Sequence, residues 1–550
     1  MGNNVYRPSD TPSNVNNTAF RQRTPHKLGG PVAEMQIGFM DWMIYYEGEL
    51  PNTVNDVTIH HAWLERASTG QIVALTFSGS RQLVLPMNST TAYWLSDTIP
   101  STTWAGATPA RDEVFWLHVQ GSIPASGNLP IGTPATFSGA KFIAYPPAND
   151  PGTFDTAGSV PIIADSSTLR SGLPLIFLGR FTGPGHLSVI GVGDSILDGS
   201  GDVTNPVPAI SGYGFFNRSA VDSNGSNAIA MFNLTRHGQN AANFVNPNRQ
   251  KRQSQFLPFA NVVVEEYGTN DLGSAGGGVP ATILKNLETI WSTARAAGVQ
   301  KIVRTKLMPR SSSTDLWATL ANQTPNSGWE IGGKRDAINA GFQTALANGK
   351  IDVVLDTLAV LADPTDDSCW RTNGTAKYVN TDEAHVSAAG NALLAPLLRS
   401  ALLSLTVDPV PPGYSAWSAA IAWGGADSSA GADPNGDGIN NLLAYAMDLP
   451  PVGPVPSGHL PRGEIDTTTA NGPWLTFTYR ENSAAADLGY GIQASTDLAG
   501  WNPLVVNGAT VISEVAHADP DGDGSCVLRR VRVQTATAGQ PCFLRLRVNR

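Results

Sequence analysis

The sequence predicts a central α/β domain built on a doubly wound parallel sheet, with a β-sandwich before it and a β-rich module after it. Three observations lead there. Between about residues 160 and 405, short apolar runs alternate with segments of helical apolar periodicity. Before them, two-residue alternation broken by turn-rich stretches dominates. Beyond the Pro-rich stretch Asp408–Gly413, two-residue alternation returns.

Leu187–Gly193, Asn227–Leu234, Val262–Tyr267, Lys301–Leu307 and Ile351–Asp356 read as buried strands of the central domain, assigned to 159–407. Helical patterns lie between the later ones. Ile283, Leu284, Leu287, Ile290, Trp291 and Ala294 share one face, and Gly298 ends that helix. Ala337, Ile338, Phe342 and Leu346 mark the next helix, and Leu393, Leu394, Leu397, Leu398 and Leu402 mark a last one. Alternation of this kind places helices on both faces of a parallel sheet.

Residues 1–29 are polar and read as an irregular arm. Residues 30–158 read as a β-sandwich or jelly roll, with alternation clear in Val57–His60 and Val114–Val119. Residues 408–461 form a linker and a calcium-loop-like segment. Residues 462–550 form a β module whose expected strands include Trp474–Arg480, Tyr490–Ser495, Val527–Val533 and Phe543–Val548.

Composition narrows the function classes. A formal net charge of -10 without a long basic run argues against nucleic acid or an anionic membrane as partner. No apolar run reaches the roughly 18–20 residues of a membrane helix. Three cysteines are too few for a disulfide scaffold; Cys526 and Cys542 are close enough in sequence to pair, or to remain free thiols. The polar start Met-Gly-Asn-Asn has no signal-peptide core. The expectation is nevertheless a secreted or periplasmic protein whose signal has been removed, because of the C-terminal module described below.

In an open parallel sheet, ligands bind outside the carboxyl ends of the strands. The first strand is followed by Gly191-Val192-Gly193-Asp194-Ser195-Ile196, the second by Asn233-Leu234-Thr235-Arg236-His237-Gly238, the third by Gly268-Thr269-Asn270-Asp271. Asp382-Glu383-Ala384-His385 precedes the last helix. Over roughly residues 185–405, these four segments in this order resemble the four sequence blocks of the SGNH (GDSL-like) hydrolases. Ile196 stands where the family name has Leu, at an apolar packing position.

That resemblance implies a serine esterase. Ser195 would attack the ester carbonyl, and an adjacent base is needed because a serine hydroxyl is a weak nucleophile alone. His385 would take the proton and pass it to the leaving alcohol, while Asp382 fixes the imidazole tautomer. Of the domain's histidines His186, His237 and His385, only the last has an aspartate at the required spacing. The resemblance implies oxyanion donors at the amides of Ser195 and Gly238 and the side chain of Asn270. The structural alternatives are a turn serine, a helix-entry glycine and a capping asparagine. Asp194 and Asp271 read as loop-holding residues. His237, beside Gly238, and Trp370, Arg371 and Tyr378, in the long loop before Asp382, are candidate substrate-binding residues, with ordinary packing as the alternative.

Asp433-Pro434-Asn435-Gly436-Asp437-Gly438 resembles the calcium loops of dockerin-like and thrombospondin-type repeats, with ligand candidates Asp433, Asn435 and Asp437. Ala444 falls where a bidentate carboxylate is expected, and a plain turn is the alternative. Asp519–Gly524 reads as a hairpin loop. The region from Tyr414 onward resembles C-terminal modules of secreted bacterial enzymes. The expected activity is hydrolysis of a small-molecule or polysaccharide ester, foremost O-deacetylation of a carbohydrate, with no cofactor for catalysis and a possible structural calcium. A lipase, arylesterase or thioesterase is the alternative within the family. A non-catalytic carbohydrate-binding or adhesion protein is the alternative outside it.

Overall fold

The computed structural model describes residues 5–549 apart from 11–15, 46–47, 133–139, 170–171, 203–212, 247–251, 408–413, 415–416, 419–420, 467–472, 486–487, 505, 507–510, 518–519, 523 and 535–541. The linker Asp408–Gly413 and the loop residues Asp519 and Asp523 therefore lie outside the described residues. The chain divides into two compact units, Met1–Pro409 and Val410–Arg550.

The first unit contains a five-stranded parallel sheet. Its strands are β1 (Ser188–Val192), β2 (Ala230–Asn233), β3 (Val262–Glu265), β4 (Lys301–Thr305) and β5 (Val353–Leu355). Their spatial order is β2-β1-β3-β4-β5, the flavodoxin-like doubly wound order, whose switch point lies between β1 and β3. The register sets Val189 beside Val262 and Ile190 beside Val263. Side chains alternate along a strand, so both faces must be apolar. Ile190, Val192 and Val263 pack in one core with Ile283, Leu287 and Trp291. Val189, Val262 and Val264 pack in the other with Phe215, Phe216, Leu394 and Leu398.

Helices that frame the sheet include α1 (Ser195–Asp198), α2 (Gly214–Arg218), α3 (Pro280–Ala296), α4 (Lys334–Ala347) and α5 (Ala388–Leu403). Proline suits the first turn of α3, where its missing N–H removes no hydrogen bond. Ser387 caps α5 by accepting from the Gly390 amide.

Two larger antiparallel sheets, beside the two-stranded pairs Val5–Asp10 with Leu129–Gly132 and Trp42–Tyr45 with Gly48–Pro51, lie in the N-terminal part of this unit. Val57, Leu64, Phe115 and Leu117 of one share a core with Met35, Ile37 and Phe39 of the other. Two boundaries differ from expectation. The stretch expected as an arm contains the strand Ala19–Lys27, paired along its length with Val114–Ser122. Its alternation is hidden because both faces carry polar side chains. Gln22 and His26 face the core, while Arg21 and Arg23 meet Asp150 at 2.8 Å and Glu65 at 3.4 Å. The strand Leu175–Phe181, expected within the α/β domain, pairs instead with Val32–Phe39. The change to parallel pairing comes at Ser188, not near Val160.

The second unit contains a four-stranded antiparallel sheet, ordered Arg462–Asp466, Trp474–Asn482, Cys526–Gln534, Val511–His517. A three-stranded sheet is ordered Asn502–Pro503, Gly489–Ser495, Phe543–Asn549. Tyr479, Ile492, Val511 and Val531 form their shared core. Cys369, Cys526 and Cys542 are free thiols, so Cys526 and Cys542 are not paired.

Candidate active site

The end of β1 leads into α1 through Gly193 and Asp194. A β-carbon on Gly193 would lie 2.9 Å from the carboxyl of Glu266, so only glycine fits there without displacing that side chain. Asp194 caps α1: its Oδ1 accepts the Ile196 amide at 3.0 Å. Ser195 then occupies the first helical position, with Oγ 2.8 Å from His385 Nε2. His385 Nδ1 lies 2.8 Å from Asp382 Oδ2 and 3.1 Å from Oδ1. A proton on Nδ1 satisfies the aspartate and leaves Nε2 as the acceptor for the serine hydroxyl.

The carboxylate of Asp382 also accepts the amides of Ala384 at 2.9 Å and His385 at 2.8 Å. Burial works to raise its pKa, but these bonds and the imidazole outweigh burial and hold it below the ordinary carboxylate range. It remains the anion that a developing imidazolium needs.

The segments after β1, β2 and β3 are tied to one another. The Arg236 amide donates to the Gly193 carbonyl at 3.2 Å. Asp271 accepts the amides of Ala241 and Ala242 at 2.9 and 3.2 Å. Asn270 Nδ2 donates to Asp194 Oδ2 at 3.1 Å and to the Gln239 carbonyl at 2.9 Å. Gly238 has φ 74, a left-handed conformation that favours glycine. Among the described residues no acceptor meets the amides of Ser195 or Gly238. Asp194 and Asp271 thus hold loops, as expected. Asn270 is brought into the site, but both of its amide protons already have acceptors.

Three buried carboxyl groups, Asp194, Glu265 and Glu266, and the partly buried Asp271 lie at or beneath this point. Burial pushes Asp194 up to about 6 and Glu265 up to about 7, and it raises Asp271. Burial first, and the neighbouring Asp194 second, hold Glu266 well above the ordinary range. Arg304, fully buried, meets Glu265 Oε1 at 3.1 Å.

His237 pairs with Asp198, three residues after Ser195 on α1. The contact is 2.6 Å, with the carboxylate 2% and the imidazole 33% exposed. Of the three candidates in the long loop, one is corrected. Trp370 is completely buried and its indole donates to the Glu383 carbonyl at 3.1 Å, so its ring offers no face to a substrate. Arg371 donates to the carbonyls of Ala362 at 3.2 Å and Ala359 at 2.8 Å, capping the helical turn Leu358–Leu361. Tyr378 packs against the apolar core beneath α5. Aromatic character alone did not distinguish core from pocket. Asp198, Gln239 and Glu266 were missed, although each adjoins or lies close to a motif residue.

In the second unit, Asp433 Oδ1 accepts the amides of Gly436 and Asp437 at 3.0 and 3.2 Å, and Oδ2 accepts that of Gly438 at 2.8 Å. Asn435 Nδ2 donates to Asp437 Oδ2 and to the Gly453 carbonyl, each at 2.8 Å. Ca²⁺ asks for about six to eight oxygens. Here the twelfth position, Ala444, lies in an apolar cluster and is 1% exposed. The donor set fits Ca²⁺ only in part and already forms a self-supporting turn.

No family model and no curated protein matches this chain. Among solved structures it is similar to a GDSL-like lipase from Bacteroides thetaiotaomicron, at 14% identity and TM-score 0.26, over 39% of this chain and 87% of that one. A lipase/acylhydrolase from Enterococcus faecalis is similar at 19% identity and TM-score 0.27, over 40% and 98%. A carbohydrate acetylesterase from Sinorhizobium meliloti is similar at 17% identity and TM-score 0.26, over 39% and 98%. Solved structures that resemble this chain thus include GDSL-like lipases, acylhydrolases and esterases. No helix among the described residues is long and apolar enough to cross a membrane.

Proposed function

We propose that the protein is a serine esterase working through an acyl-enzyme, with Ser195, His385 and Asp382 as its triad. The observation that carries this reading is the continuous relay from Ser195 Oγ to His385 Nε2 and from His385 Nδ1 to Asp382, at 2.8 Å each. As Ser195 Oγ bonds to the ester carbonyl carbon, its proton passes to His385 Nε2. The tetrahedral intermediate collapses, the C–O bond to the alcohol breaks, and His385 returns the proton to the departing oxygen. Water repeats the sequence on the acyl-serine and releases the acid. Asp382, an anion throughout, offsets the imidazolium charge. The Ser195 and Gly238 amides stabilise the oxyanion. Asn270 joins them by sharing the N–H it directs at Asp194, the longer of its two bonds.

For the substrate, we infer an O-acetyl group on a carbohydrate. The half-exposed Asp382 and one-third-exposed His237 suit a site open to a large polar substrate. His237 belongs to that substrate side. The two larger N-terminal sheets are proposed to act as a β-sandwich, and the protein is proposed to work outside the cytoplasm. Weak, structural calcium at Asp433, Asn435 and Asp437 belongs to the same reading, with no part in the chemistry.

The deciding experiment is a series of p-nitrophenyl esters of increasing acyl length beside a panel of acetylated polysaccharides. Acetate release from polysaccharide and a preference for short acyl chains support the reading. A preference for long chains points to a lipase, and no turnover of any ester points to a binding protein.

A further inference from the structure

Gln239 follows the oxyanion candidate Gly238, and its side chain is completely buried. A buried amide demands partners for its oxygen and both N–H groups. Gln239 Oε1 accepts the Tyr267 hydroxyl at 2.5 Å and Gln253 Nε2 at 3.4 Å, and its Nε2 donates to Gln253 Oε1 at 2.9 Å. Gln253, also completely buried, donates to the Leu234 carbonyl at 3.0 Å. The two glutamines therefore close the loop from Leu234, at the end of β2, to Gln239. Gln253 is seated in turn by Glu49, whose Oε1 accepts its amide at 2.7 Å. The backbone of Gln239 does the rest. Its amide donates to the Arg236 carbonyl at 3.2 Å, closing the turn around the left-handed Gly238, and its carbonyl takes the shorter of Asn270's two bonds.

We propose that Gln239 is a positioning residue for the oxyanion hole, fixing the Gly238 amide and the Asn270 side chain together through its lock with Gln253 and Tyr267. This rests on the esterase reading. Three parts of the chain converge on one amide: the loop after β2 carries it, Tyr267 after β3 holds its oxygen, and Gln253 links it to Glu49 on the strand Gly48–Pro51. The N-terminal β region thereby contributes to the geometry of the site without touching the substrate.

The test is a mutant cycle on the full chain with p-nitrophenyl acetate. Gln239→Met keeps length and loses the amide; it should lower kcat by about 10–100-fold with KM within about twofold, since an oxyanion donor acts on the transition state rather than on bound substrate. In the Asn270→Ala background the same change should cost about tenfold less than it does alone, because part of what it positions is gone. Tyr267→Phe, which removes one bond to Gln239 and keeps the ring, should lower kcat about 3–10-fold at unchanged KM. If Gln239→Met does not fold, Tyr267→Phe decides. Wild-type kcat in the folded single variants, or losses that multiply in the double, would overturn the proposal while leaving the esterase reading standing. A wild-type protein inactive on every ester would overturn both.

Discussion

Ser195 and His385 stand 190 residues apart in the chain, yet their Oγ and Nε2 atoms meet at 2.8 Å. The doubly wound sheet brings them together. Ser195 is delivered by the end of β1, and His385 by the turn that enters α5, which packs on the face carrying Val189 and Val264. Ser195→Ala and His385→Ala should each lower kcat by about 10⁴–10⁶-fold, the scale of triad losses. Neither change opens a cavity in the core, so melting should stay within a few degrees of wild type. Steady-state kinetics beside a thermal melt checks this; near-normal turnover in either variant removes the triad.

Asn270→Ala should lower kcat by about 10²–10³-fold with KM little changed, as for loss of one oxyanion donor. It should also destabilise the protein, because the Gln239 carbonyl and Asp194 Oδ2 each lose a donor, at about 1–3 kcal/mol for a buried group left unpaired. Loss of stability with an unchanged kcat would mean that Asn270 only ties the loops.

The central fold was legible because parallel strands buried on both faces read as continuous apolar runs, and because the helices keep a clean 3.6-residue period. Every expected central strand encloses an observed one, and α3 carries Ile283, Leu287, Ile290, Trp291 and Ala294 as its buried face. The triad candidates were legible because each sits at a strand end or a helix entrance. Ala19–Lys27 was not, since its burial depends on paired Arg21, Arg23 and Gln22 rather than on apolar alternation. Trp370 was misread because an indole in a long loop gives no local sign of whether a core will close over it. Gln239 and Gln253 were invisible because their partners lie on other elements.

Asp41 gives a pH test away from the chemistry. It is 1% exposed, and its one described side-chain bond, from Asn52 Nδ2, is long at 3.4 Å. Burial pushes its pKa up to about 7. The folded state therefore binds the proton more tightly than the unfolded chain, whose aspartate titrates near about 4. The resulting stability is present in full below about pH 4 and is lost as pH rises to about 7. Asp41→Asn removes the titration and keeps the shape. The variant should match wild type only near pH 4 and below, exceed it modestly near pH 5 and exceed it by more near pH 8. The gain should reach up to a few kcal/mol, because each tenfold difference in proton affinity between the folded and unfolded chain is worth about 1.4 kcal/mol. Denaturant melts at these pH values check this, and an advantage that does not grow with pH refutes it.

Calcium should act on stability and leave turnover alone. Asp433, Asn435 and Asp437 lie in the second compact unit, whereas Ser195, Asp382 and His385 lie in the first. The nucleophile is generated by His385, so the proposed hydrolysis needs no Lewis acid. Binding should be weak. Three side chains and a buried Ala444 at the twelfth position leave much of the shell to backbone and water oxygens, and Asp433 already spends both oxygens on the amides of Gly436, Asp437 and Gly438. With a Kd on the order of 10⁻³ M, as in weak extracellular sites, calcium at ten times that concentration would add about 1.4 kcal/mol by mass action. The gain should appear as a few degrees in a calorimetric transition belonging to the second unit, and EDTA should remove it. Hydrolysis of p-nitrophenyl acetate should be the same before and after EDTA. Loss of activity by a protein that remains folded would contradict the proposed chemistry. A melt indifferent to both calcium and EDTA would leave the loop as the self-supporting turn its own hydrogen bonds already make.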